Sequence, residues 1–223
     1  MIPQEPQPAT APYTPKKWPK QTRSKMSFDA MISACARILR KDGYEGLSTN
    51  RIAQVAGVGI GTLYDFFPDK ETIVAVLAER LMAESMRRMR RVVDESEGVG
   101  PWEGMLRLAR QGVANVVEER KLCYVLLRQI PFVMTLPAVA AWQTALVDLA
   151  QEVRVASGDA LNLPMPKEDT WLIAQMMFNA TLEIGFLDTT PAERDALTVG
   201  LARLTYRMAV GHDPDEVAMA KAA

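Results

Sequence analysis

The densest run of residues able to do chemistry is Ala56-Gly57-Val58-Gly59-Ile60-Gly61-Thr62-Leu63-Tyr64. A glycine turn there hands over to a short helix, whose free amides and partial positive charge suit a phosphate. Thr62 and Tyr64 add hydroxyl donors beside it. Ile60 can meet a thymine methyl without a hydrogen bond, and Gly61 lets the helix approach a groove closely, at up to about 1 kcal/mol of helix stability relative to alanine. This is the chemistry of gripping a polyanion and reading its edges. Catalysis is poorly supplied by comparison. The sole histidine, His212, lies near a chain end expected to fray, and there is no HExxH, no GxxxxGKS/T loop and no pair of acids on an obvious site helix. Cys35 and Cys123 fall at apolar positions of helical patterns and build neither a disulfide framework nor a CxxC metal site. No cofactor and no metal are therefore expected, and an all-α enzyme with an appended DNA-binding motif is the poorest reading.

The elements that must hold these groups are helical. Phe28, Met31, Ile32, Cys35, Ile38 and Leu39 recur at helical spacing and put one stripe against a core. Lys41-Asp42-Gly43 ends that helix, Gly43 suiting the position just past the last turn. Ser48 or Thr49 can cap a second helix with Ile52, Val55 and Ala56 as its buried face. Gly57-Val58-Gly59 interrupts it, and a third short helix begins near Ile60, with Leu63 and Phe67 inward, until Pro68 breaks it. Asp69 can cap a fourth helix running from Lys70 toward Ser96. Three short helices with a tight turn between the last two meet the requirements of a helix-turn-helix. From Gly100-Pro101 onward the pattern stays helical, punctuated at Pro131, Pro137, Gly158, Pro164-Met165-Pro166 and Thr189-Thr190-Pro191. No alternating strand pattern and no repeat stands out.

Charge and composition narrow the class further. With 48% hydrophobic and 24% charged residues over 223 positions the chain is of ordinary globular type, and a net charge of −1 argues against a protein that coats nucleic acid along its whole surface. The charge is unevenly spread: residues 1–71 carry a net +3 and the remainder −4. Six prolines within the first nineteen residues, followed by Lys16, Lys17, Lys20, Arg23 and Lys25, describe a disordered basic arm. Arg87, Arg88, Arg90 and Arg91 form a denser cluster, but it lies about 25 Å along the helix from Lys70 and is read as a solvated or acid-paired face. The uncharged run from Gln129 to Val147 is broken by Pro131 and Pro137 and is read as buried helix, with no membrane span. No secretory signal pattern opens the sequence, so a cytoplasmic protein is expected.

Ser48-Thr49-Asn50-Arg51-Ile52-Ala53, the glycine-turn segment quoted above and Phe67-Pro68-Asp69-Lys70-Glu71 together resemble the signature of the TetR family of bacterial regulators, over roughly residues 22–75. The resemblance implies that Thr49 and Asn50 start the bracing helix, where phosphate and a base edge are touched. It implies that Ile60, Gly61, Thr62 and Tyr64 lie on the recognition helix, and that Lys70 grips a phosphate. Two departures stand out: Gly59 replaces a frequent serine cap, and Asp65 places an acid beside Tyr64, where it is expected to face along the backbone edge or pair with a nearby basic group.

The C-terminal region carries more apolar surface than one core can use. In 169–187, Ile173, Met176, Met177, Ala180, Ile184 and Leu187 form one stripe, and Leu197, Leu201, Leu204 and Met208 give the last helix another. Two such helices meeting their symmetry mates would make a homodimer, as the family does, so Ile173, Ile184, Leu197, Leu201, Leu204 and Met208 are the expected interface. Trp102, Met105, Tyr124, Phe132, Trp142, Trp171 and Met177 are core or the lining of an apolar ligand site, in which Arg128, Asn179 or Glu183 would orient the guest. The expected organisation is thus all-α: a disordered Pro-rich basic arm (1–19), a three-helix helix-turn-helix domain (20–70), a larger effector-binding and dimerisation domain (71–212) and a tail (213–223). The expected function is a ligand-responsive transcriptional repressor on a palindromic DNA operator, released by a small, mainly apolar effector. A helical protein-interaction regulator without a small-molecule ligand is the alternative.

Overall fold

The computed structural model describes residues 13–157, 166–212 and 214. The first twelve residues of the expected arm, the punctuation at Gly158 and Pro164-Met165, and the expected tail apart from Pro214 lie outside them. Among the described residues every regular element is helical: α1 (Thr22–Asp42), α2 (Thr49–Ala56), α3 (Ile60–Phe66), α4 (Lys70–Asp94), α5 (Pro101–Glu118), α6 (Arg120–Tyr124), a π-helical turn (Val125–Gln129), a 3₁₀ turn (Pro131–Thr135), α7 (Pro137–Ser157), α8 (Pro166–Phe186) and α9 (Pro191–Val210). Contacts divide the chain into two units, one running through Leu81 and joined by Tyr124–Leu136, the other holding Met82–Cys123 and the described residues from Pro137 on. The boundary expected after residue 70 therefore falls early, since the first half of α4 is buried with the head from Thr72 to Ala78.

The head forms around Phe28. All six apolar residues expected on the inner stripe of α1 are buried, and the ring of Phe28 meets Phe67 at 4.7 Å, Phe66 at 5.6 Å and Trp18 at 5.6 Å between centroids. Burial pushes the Cys35 thiol up to about 12, so this side chain acts as a packing group. Ser48 Oγ accepts from the amide of Arg51 and starts α2. The inward face of α2 is Ile52 and Ala53, not the expected Ile52, Val55 and Ala56, because Val55 stands 37% exposed and Ala56 is only half-buried. Gly57 then adopts the left-handed conformation (φ 69°, ψ 31°), which turns the chain into α3 at no steric cost. Leu63 and Phe67 are fully buried, as their spacing predicts.

In the second unit α5 packs against α8 and α9. Leu106, Ala109 and Ala202 form a cluster flanked by Trp102, Met105, Met177 and Val199. α5 and α8 approach so closely that a Cβ at Gly185 would sit 2.5 Å from Cγ1 of Val116. α9 opens with a capping box in which Thr190 and Glu193 satisfy each other's backbone amides, and the guanidinium of Arg120 donates to the carbonyl of Phe186 at the end of α8 (2.7 Å).

Candidate nucleic-acid interface

The start of α2 and the outer face of α3 come together through one contact: Thr49 Oγ1 and the Tyr64 hydroxyl share a hydrogen bond at 3.0 Å. Around it Asn50, Gly61, Ile60 (39% exposed) and Tyr64 (42%) face solvent, with Thr62 half-buried beside them. Leu63 and Phe66 take the opposite side of α3 into the core, so the direction of the outer face is fixed by packing. Ser48 satisfies one amide at the start of α2, whereas Gly59 supplies no side-chain cap to α3, whose first amides stay available to an incoming acceptor. At the start of α4, Asp69 Oδ1 accepts from both the amide and the hydroxyl of Thr72 at 2.7 Å. That cap holds Lys70, whose ammonium donates to the Leu47 carbonyl (3.2 Å) and lies 4.3 Å from the centre of the Tyr44 ring. An ammonium carries three donors, so this arrangement aims Lys70 without exhausting it. Burial, followed by the hydrogen bond to Glu71, raises the Tyr44 phenol well above its usual range.

Sequence reasoning underused the arm. Residues 13–19, expected to be disordered, instead pack on the head: the Lys16 amide donates to the Phe66 carbonyl (2.8 Å), its ammonium to the Tyr64 carbonyl (2.9 Å), and Tyr13 stacks on Phe132 at 4.6 Å. Lys17 lies 3.8 Å from Asp65 and 5.1 Å from the centre of the Phe66 ring, which supplies the basic partner expected for that acid. The available signal was the pair of aromatics, Tyr13 and Trp18, interleaved with prolines and lysines. Arg51 and Arg37 brace the head from its surface, Arg51 on Asp42 and the Gly46 carbonyl, Arg37 on the Val55 carbonyl. Three of the four arginines of the α4 cluster are acid-paired, Arg87 with Glu84, Arg88 with Glu84 and Glu118, and Arg90 with Glu152.

The ten residues considered for a ligand divide between the two units. Tyr124, Arg128 and Phe132 belong to the first, and Phe132 is taken up by Tyr13. In the second, Trp102, Met105 and Met177 gather around the Leu106 cluster, with Trp102 edge-on to Tyr206 at 5.8 Å. Trp142 stands edge-on to Phe178 at 4.8 Å, and its indole N–H is buried with no hydrogen-bond partner among the described residues. Trp171, Asn179 and Glu183 are exposed on α8. Of the interface residues, Leu197, Leu204 and Met208 are exposed and Leu201 half-exposed along one side of α9. The expectation for α8 is corrected: Ile184 is only 8% exposed, Ile173 is half-buried, and the large apolar residues left outside are Trp171, Leu172 and Met176, with Leu187 just past the end of the helix. Small residues at Gly112 and Gly185 draw α8 onto α5 and take the Ile184 side inward.

Residues 31–77 match the family model described as bacterial regulatory proteins, tetR family. The chain is 33% identical over 76 residues to the fatty acid metabolism regulator protein of Bacillus subtilis, covering 34% of this chain and 38% of that protein. It is 33% identical over 69 residues to the nicotine-responsive transcriptional repressor of Paenarthrobacter nicotinovorans (31% and 36%). The matches thus span little more than a third of the length of these relatives. Across the whole fold, the chain resembles a TetR-family transcriptional regulator from Pectobacterium atrosepticum (TM-score 0.68, 20% identity, 87% of this chain and 100% of that one). It also resembles the fatty acid degradation regulator of Bacillus halodurans (TM-score 0.64, 20% identity, 85% and 97%).

Proposed function

On the premise that the chain belongs, through residues 31–77, to the tetR family of bacterial regulatory proteins, we propose that it is a ligand-responsive transcriptional repressor that works in the cytoplasm as a homodimer on a palindromic DNA site. The observation that carries the reading is the shared outer face of α2 and α3, where the Thr49–Tyr64 contact aligns Asn50, Ile60 and Thr62 beside uncapped α3 amides and an aimed Lys70. Thr49, Tyr64 and Lys70 hold the backbone, Gly61 permits close approach, and Asn50 and Ile60 read base edges. Two heads must enter successive major grooves about 34–36 Å apart, and the apolar side of α9 with the outer side of α8 is the surface that pairs them.

The effector is a small, mainly apolar molecule bound in the second unit. Trp142 adds one requirement: a buried indole N–H without an acceptor costs about 1–3 kcal/mol, so a guest presenting a carbonyl or hydroxyl oxygen there gains over a pure hydrocarbon. Relatives named for fatty acid metabolism and for nicotine are in keeping with a small organic effector. Such a molecule controls DNA only if it binds one arrangement of the dimer better than the other. Selection of duplexes from a random pool, followed by a salt titration on the enriched site, tests the DNA half. Lys70→Ala is expected to flatten the slope of log affinity against log salt by about 1.8 per dimer, about 0.9 for each of two phosphate contacts, and an unchanged slope would remove Lys70 from the interface. A library of apolar compounds with one polar group, read by tryptophan quenching and release of DNA, tests the other half. Activity confined to small, multiply charged metabolites would sink it.

A further inference from the structure

We propose that Tyr13–Trp18 is a strap that positions the recognition helix, supplying from 48 residues upstream the C-terminal support that α3 lacks of its own. The inference rests on the DNA-reading role of α3 and concerns what holds that helix in place. α3 has only seven residues, a glycine at its N-cap that makes no side-chain bond, and a second glycine at position 61. A helix of two turns with two glycines at its start has little stability of its own, and its last carbonyls need donors.

Lys16 supplies two of them. Its amide meets the Phe66 carbonyl at 2.8 Å and its ammonium the Tyr64 carbonyl at 2.9 Å, which also places a cation at the negative end of the helix dipole. Tyr64 is thereby held at both ends, its carbonyl by Lys16 and its hydroxyl by Thr49. Lys17 offsets Asp65, the one acid on a helix meant to approach phosphates.

The strap is itself anchored. Trp18 packs on Phe28, Pro15 is buried, and Tyr13 stacks on Phe132 with an interplanar angle of 25°. Tyr13 holds a positive φ of 66°, a conformation that a bulky residue keeps only when its surroundings enforce it. Pro15 and Pro19 restrict the free strap and reduce the entropy lost on docking.

The test uses the full chain, a duplex enriched from a random pool by the wild type, and a scrambled duplex of equal length. Lys16→Met and Tyr13→Ala are expected to weaken binding to the enriched duplex about tenfold, with the scrambled duplex and the melting temperature unchanged. Lys16→Arg should restore binding. Tyr13→Ala and Phe132→Ala should lose no more together than either does alone, since they break one stack. Wild-type affinity in both Lys16→Met and Tyr13→Ala overturns the proposal. So does an equal loss on both duplexes, which would make Lys16 a plain phosphate contact. If the wild type showed no sequence preference, the DNA-reading function itself would fall. Hydrogen exchange of the Leu63–Phe67 amides would then decide for the strap if faster in Tyr13→Ala, and against it if the same.

Discussion

The head and the α8–α9 pair are both made of apolar-rich helices, but they differ in where most of their large side chains point. In α1 the bulky residues Phe28, Met31, Ile32, Ile38 and Leu39 all point inward and are at most 3% exposed. In α8 and α9 Leu172, Met176, Leu197, Leu204 and Met208 stay outside, as does Leu187 just past the end of α8, each more than 40% exposed, while Thr181, Thr198, Ala202, Thr205 and Ala209 are buried. The buried threonines lose nothing by it, because each hydroxyl donates to a carbonyl of its own helix at 2.7–2.8 Å. Small inner residues let α5, α8 and α9 close on one another and leave the large ones for another surface. The head is finished as one packed body, whereas the outer side of α8 and α9 has the composition of an interior still to be covered.

The sharpest way to break this contrast is to remove the hub of the head. Phe28→Ala is expected to cost about 3–5 kcal/mol of stability, measured by urea denaturation, because three rings lose a common partner. DNA binding should be lost with it. The next test separates the two sides of α8–α9. Ile184→Ala, inside the unit, should lower stability by about 2–4 kcal/mol. Leu204→Glu should leave the helical content intact but shift sedimentation toward monomer, since a charge there is desolvated only when a second copy covers it. A Leu204→Glu protein that stayed dimeric at micromolar concentration would end the case for that surface.

How much of this was legible in the sequence follows the same divide. The head was readable because its helices are amphipathic and punctuated: the α1 stripe, the Ser48 and Asp69 caps, the Gly57 turn and the Leu63–Phe67 pair all stand where spacing put them. Val55 was misjudged because an eight-residue helix gives too few turns to fix which flank faces in. In α8 the apolar residues go nearly all the way round, so periodicity could not choose between the Ile184 side and the Met176 side. The choice was made by Gly185 and Thr181, small residues that a search for large apolar stripes passes over. The strap was missed for a different reason. Apart from Trp18 on Phe28, its contacts join residues 48 to 119 positions apart, and proline-rich composition says only that no regular helix forms there.

Gly185 therefore offers a finer test of how the second unit is set. A Cβ there would meet Val116 Cγ1 at 2.5 Å and Cβ at 2.6 Å, both on a short branched side chain that cannot swing aside. Gly185→Ala should destabilise by about 1–3 kcal/mol despite the gain in helix propensity. Combining it with Val116→Ala should recover part of the loss, so the two changes are expected to be non-additive. Additivity would mean that α5 and α8 do not pack at this point.

The smallest effect is expected at Tyr64→Phe, and it separates gripping from steering within the head. The change deletes one exposed hydroxyl and its 3.0 Å contact with Thr49, while the ring and the backbone carbonyl that receives Lys16 remain. Stability should move by no more than about 0.5 kcal/mol, as for other surface substitutions. On DNA the lost group is a neutral hydrogen-bond partner, so binding should weaken several-fold, about 1 kcal/mol. The slope against log salt should stay at the wild-type value, because only cations release condensed counterions. Lys70→Ala should do the reverse, flattening the slope. If Tyr64→Phe flattened the slope as well, the hydroxyl would be acting through a cation it positions rather than on the phosphate itself. If it changed neither affinity nor slope, the outer face of α3 would not be the one that meets DNA.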